Sequence, residues 1–127
     1  MKIEHIAFQI EDPVAMGRWY VEHLGFTVKR RLVETPYTHF LADDSGTVMI
    51  EIYKQDVTLP DYRNTDPLVL HLALVSANIE ADRERLIAAG ATAVGTTQQA
   101  PNGDQLAMLR DPWGFCVQLA QRAETML

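Results

Sequence analysis

Apolar residues recur along this chain first at strand spacing and then at helix spacing, and the succession occurs twice. "IEHIAFQI" (3–10) and "VLHLALVS" (69–76) are strand-like runs that each contain one histidine, His5 and His71, 66 residues apart. Residues i and i+2 share a strand face. His5 therefore lies with Ile3, Ala7 and Gln9, and Ile6, Phe8 and Ile10 form the face that packs on a helix. In the second run His71 lies with Val69, Ala73 and Val75, against Leu70, Leu72 and Leu74. A helix-start signal follows each run. Asp12 is placed to cap a helix with Pro13 in its first turn; Met16, Trp19, Tyr20 and Leu24 recur at helical spacing, and Gly25 ends it. In the second half Ser76 or Asn78 caps a helix with Ile79, Leu86 and Ile87 on one face and Gly90 at its end.

Three strand candidates follow each helix: "FTVKRRLV", "THFLAD" and "VMIEIYK", then "ATAVGTTQQ", "QLAMLRD" and "FCVQLAQ". "DDSG" (43–46), "APNGD" (100–104) and "DPWG" (111–114) supply the turns between them. The pattern predicts an α+β chain of two tandem βαβββ modules. Module one is 1–54, a linker or lid loop occupies 55–67, module two is 68–122, and 123–127 is a short tail.

Composition narrows the function without naming it. At 127 residues with 47% hydrophobic content, the chain is long enough for one ordinary domain with a core of its own. A net charge of −6 gives no support for nucleic-acid binding. The single cysteine, Cys116, excludes an intramolecular disulfide and fits a reducing cytoplasm. Glu4, Glu11 and Asp12 interrupt or follow the first apolar run at once, so no signal peptide is expected. No run reaches the roughly eighteen apolar residues of a membrane span.

The candidate chemistry lies on the strand faces turned away from the helices. The last strand of module one sets Met49, Glu51 and Tyr53 against Val48, Ile50 and Ile52. That of module two sets Cys116, Gln118 and Ala120 against Phe115, Val117 and Leu119. Glu51 and Gln118 are 67 residues apart, one more than the histidines. The pair His5 and Glu51 thus recurs as His71 and Gln118. Two imidazoles, a carboxylate and an amide oxygen suit a divalent Zn, Ni, Fe or Mn ion with positions left for substrate. A cation would also offset the cost of an ionised carboxylate on an apolar face. Taken singly, each of these residues reads as an ordinary half-exposed strand side chain; their repetition at matched positions favours the joint reading. His23 falls on the polar side of the first helix. His39 has open readings as cavity wall, core or surface, and Cys116 reads as a small hydrophobe. Tyr53, Tyr62, Arg63 and Trp113 are candidates for substrate contact, with Tyr37 and Met49 as further cavity-shaping residues; Trp19 reads as packing.

These motifs, "EHIAFQIED", "MIEIY", "LHLALVS" and above all "DPWGFCVQL", resemble the vicinal oxygen chelate superfamily over essentially the whole chain. That superfamily includes glyoxalase I, extradiol dioxygenases, methylmalonyl-CoA epimerase and the bleomycin- and fosfomycin-resistance proteins. The resemblance implies two modules whose sheets curl into a cup with helices outside and a metal at its base. It implies His5, Glu51, His71 and Gln118 as ligands and Glu51 as the base. Many members carry Glu at the position of Gln118, which weakens a glyoxalase I reaction that uses two carboxylates. In the extradiol dioxygenases the carboxylate comes from the second module; here it is in the first. Arg30 and Arg31 are the available basic pair for a substrate carboxylate. The expectation is a metal-dependent lyase, isomerase or dioxygenase acting on a small molecule, in a homodimer. The alternative is a metal-free binding protein of the bleomycin-resistance kind.

Overall fold

The computed structural model describes residues 1–126. Two compact units meet in sequence between Pro60 and Asp61. In the first unit β1 (His5–Gln9) leads into α1 (Pro13–Leu24), followed by β2 (Thr27–Arg31), β3 (His39–Ala42) and β4 (Met49–Tyr53). The second repeats the order: β5 (Leu72–Val75), α2 (Ile79–Ala88), β6 (Thr92–Gln99), β7 (Gln105–Arg110) and β8 (Cys116–Gln121). The sheets are ordered β1-β4-β3-β2 and β5-β8-β7-β6. In each the first strand pairs in parallel with the last, and the other pairs are antiparallel. This is the doubled βαβββ, α+β architecture that the apolar periodicity predicts. No helix among the described residues is long and apolar enough to cross a membrane.

The helix ends follow from the residues that cap them. Asp12 accepts the Ala15 N–H at 2.9 Å, Pro13 occupies the first turn, and Gly25 takes a left-handed φ of 75° that a side chain would oppose. In α2 the cap is Asn78, which accepts the Ala81 N–H. Ser76, the other cap candidate, instead donates its hydroxyl to Asp82 at 2.6 Å. Each helix covers one face of its own sheet. Met16 and Tyr20 of α1 are fully buried with Ile10, Leu41 and Ile52; in the second unit Ile79, Leu86, Leu109, Phe115 and Val117 are buried. Full burial of each such side chain contributes about 1.5 to 3 kcal/mol, so these faces hold the sheets in register.

Two expectations shift. The second histidine run starts as a turn: Asp66 accepts N–H groups from Leu68 and Val69, so β5 begins at Leu72 and His71 stands just ahead of it. His39 is not on the face that carries Glu51. It pairs with Ile52, whereas its neighbour Phe40 pairs with Glu51, and opposed residues share a face. The His39 ring is buried against α1, where a Cβ on Gly17 would sit 3.2 Å from its Cδ2. Its Nδ1 is bonded to the Tyr37 carbonyl at 2.7 Å. His39 is therefore core and is withdrawn as a substrate contact.

Candidate functional site

Glu51 lies on β4, in the sheet interior, with Ala7 of β1 and Phe40 of β3 as its cross-strand partners. The small Ala7 leaves room above β1 for His5, which approaches from two residues earlier. His5 Nε2 is 3.4 Å from Glu51 Oε2, and the His5 ring meets Phe40 edge-on with centroids 5.5 Å apart. The side chains of His5 and Glu51 are 34% and 21% exposed, enough for a ligand to reach both. The other ring nitrogen of His5, Nδ1, is in hydrogen-bond contact with Glu4 Oε2.

The second unit places its pair by the same register. Gln118 of β8 is opposite Ala73 of β5 and Met108 of β7, as Glu51 is opposite Ala7 and Phe40. His71 precedes Ala73 by two residues, as His5 precedes Ala7. Its Nδ1 is 2.8 Å from the Pro67 carbonyl. A carbonyl only accepts, so Nδ1 is the donor, and in the neutral ring that leaves the lone pair on Nε2.

These donors fit a divalent cation. A nitrogen and an oxygen bound about 2.1 Å from one tetrahedral ion lie about 3.4 Å from each other, the His5–Glu51 separation. Each histidine has its Nδ1 beside an acceptor, the usual arrangement behind a coordinating Nε2. Taking each unit alone, no group of three or more His, Cys, Asp or Glu side chains among the described residues is placed to hold a metal. Each unit supplies only half of the expected set. Cys116 is buried, and burial pushes its thiol up, which keeps it neutral and a poor ligand at neutral pH.

The candidate substrate residues divide into two groups. Tyr53 pairs with Gln9 on β1, two residues beyond Glu51 on the same face, and is half-buried. Gln9 pins the chain that follows, accepting the Gln55 N–H at 2.9 Å. Tyr62, Arg63 and Trp113 gather instead at the "DPWG" turn of the second unit. Arg63 donates to the Pro112 carbonyl at 2.6 Å, and the Tyr62 ring stands edge-on to buried Phe115 at 5.1 Å. Gly114 is required here: its φ is 90°, and a Cβ would come within 3.0 Å of the Arg63 Cα.

The sequence gives no warning of Arg110, which fastens this region. Its guanidinium donates to the carbonyls of Tyr62 at 2.6 Å, Thr65 at 2.7 Å and Gly114 at 3.1 Å. Asp61 adds a bond from the Thr65 hydroxyl to its own carbonyl. The second half of the expected lid, 61–66, is thus a fixed part of the second unit. Trp113 is held by Asp111, which accepts the N–H groups of both Trp113 and Phe115 at 2.9 Å. Glu4 and Phe40 also escaped the sequence reading. The strand alternation that separates Phe40 from His39 was the signal available for Phe40.

No curated protein matches this sequence. Among solved structures, a glyoxalase family protein from Bacillus cereus superposes with a TM-score of 0.80 at 19% identity, over 95% of this chain and 93% of that one. The antibiotic-binding protein TnmS3 from Streptomyces sp. CB03234 gives 0.74 at 22% identity, over 97% of both chains. A glyoxalase I variant from Zea mays gives 0.75 at 20% identity, over 98% of this chain and 47% of that one. At these identities the likenesses concern the fold. The sequence itself matches the model of the Glyoxalase/Bleomycin resistance protein/Dioxygenase superfamily over residues 2–119, and the chain belongs to that superfamily.

Proposed function

We propose that this protein is a divalent-metal-dependent enzyme that acts on a small substrate chelated through neighbouring oxygens. His5, Glu51, His71 and Gln118 are its protein ligands. The observation that carries the reading is the 3.4 Å approach of His5 Nε2 to Glu51 Oε2, together with the matched register of Gln118. When bound, the ion supplies Lewis acidity to the substrate oxygens. Glu51 acts as ligand and base, since its carboxylate can accept a substrate proton. Gln118 can donate an oxygen lone pair but cannot act as a base. One base favours a lyase or isomerase step in which a single group takes the substrate proton and returns it on the same face. Tyr53 and Trp113 shape the substrate cavity, and Tyr62 and Arg63 act by holding the Trp113 turn.

A homodimer belongs to the same reading. β5 is at the edge of its sheet, and Leu68, Val69 and Val75 on or beside it are 83%, 75% and 87% exposed. Such apolar edges are normally covered.

A second reading is a metal-free ligand-binding protein. It is favoured by the amide in place of a second carboxylate and by the fold shared with an antibiotic-binding protein. Zinc-linked unfolding separates the two. An ion bound only by the folded protein stabilises it by about 2.7 kcal/mol at a hundredfold excess over Kd. The enzyme reading expects that rise in urea unfolding of the wild type and its loss in Glu51→Ala. An unchanged wild-type midpoint favours the metal-free binder.

A further inference from the structure

The His5 ring has a carboxylate at each nitrogen: Glu4 at Nδ1 and Glu51 at Nε2. A neutral imidazole has one proton and can donate it to one of them. The 3.4 Å gap to Glu51 is longer than the roughly 2.7 to 2.9 Å of a charge-assisted N–H···O bond, whereas Glu4 is in direct contact. The proton therefore belongs at Nδ1, and the Nε2 lone pair faces Glu51. Two acceptors facing each other attract only through a cation between them.

The repeat shows that this carboxylate is not shared by the two units. At the matched offset from His71 the chain has Leu70, which cannot accept a proton, and His71 Nδ1 turns to the Pro67 carbonyl. The two histidines thus occupy equivalent positions, one backed by an anion and one by a neutral carbonyl.

We propose that Glu4 is a positioning residue for metal binding: it holds the Nδ1 proton of His5 against competition from Glu51 and so keeps Nε2 free to coordinate. This rests on the reading of His5 and Glu51 as ligands. Without Glu4 the carboxylate left beside the ring among the described residues is Glu51. The proton then moves to Nε2, where it blocks the coordinating lone pair. The anionic partner also makes His5 a stronger donor than His71.

The test uses the full chain with Glu4→Ala and Glu4→Gln. Glu4 is 66% exposed, so neither variant removes a core contact. Ring 15N shifts of His5 are recorded in metal-free protein at alkaline pH, where the ring is neutral, and zinc affinity is measured by competition with a chromophoric chelator. The wild type should be the Nδ1–H tautomer. Glu4→Ala should become Nε2–H and bind zinc about tenfold or more weakly, the usual effect of losing such a partner. Glu4→Gln, which keeps an acceptor oxygen, should lie between. An Nε2–H wild type, or an Ala variant with unchanged tautomer and zinc affinity, overturns the proposal. A wild type that is Nδ1–H but binds no zinc leaves the Glu4 contact intact and refutes the ligand reading instead.

Discussion

Glu51 and Gln118 occupy the same place in two sheets: each is the parallel-strand partner of an alanine two residues after a histidine. The repeat shares the position but not the chemistry, a carboxylate in one sheet and an amide in the other. Gln118→Glu should tighten zinc binding by roughly an order of magnitude, because ligand charge sets affinity. Calorimetry checks this, and unchanged affinity would remove Gln118 from the ligand set.

His39 is buried core beneath α1, with its ring against Gly17. His39→Ala should lower stability to urea by about 3 kcal/mol, the cost of emptying an aromatic-sized site. Zinc affinity should stay within about twofold, since the ring is on the opposite face of β3 from Phe40 and Glu51. A large loss of affinity without loss of stability would return His39 to the site.

Arg110 ties residues 62 and 65 to the "DPWG" turn. Arg110→Met keeps much of the side-chain volume but removes the donors. It should cost about 3 kcal/mol, on the scale of lost bonds to a charged group. Limited proteolysis should find new cleavage between 61 and 66. Unaltered cleavage would mean that the clamp is dispensable.

Asp104 and Asp82 give the second unit an acid-sensitive component. The Ala123 N–H and then Arg122 hold the Asp104 carboxyl below its usual 3.8. The Ser76 hydroxyl and then Arg85 do the same for Asp82. A depressed folded value means that the folded protein favours the ionised form. The stabilisation is present above the unfolded value and is lost as pH falls through the lower folded value. Asp104→Asn should be less stable than wild type at pH 7, and the difference should shrink below about pH 4. Denaturant midpoints across that range check it; a constant difference contradicts it.

Much of this was legible in the sequence because it is written in local periods. The alternation around His5 and Glu51, the Asp12–Pro13 cap and the Gly25 stop each lie within a few residues, and the repeat doubles the signal. What was not legible depends on partners distant in sequence. The start of β5 was hidden because Asp66 turns the chain against the strand propensity of Val69 and Leu70. The faces of His39 and Phe40 are settled by pairing with β4, and the reach of Arg110 to Tyr62 spans 48 residues.

The central claim, proposed above, is that His5 and His71 are ligands of a divalent metal. The direct measurement is elemental analysis of protein exposed to Zn, Ni, Fe and Mn and then desalted, alongside His5→Ala/His71→Ala treated identically. We predict about one ion per site in the wild type, in line with a mononuclear centre, and none retained by the double variant. Equal, negligible metal in both would contradict the account and leave the metal-free binding protein in its place.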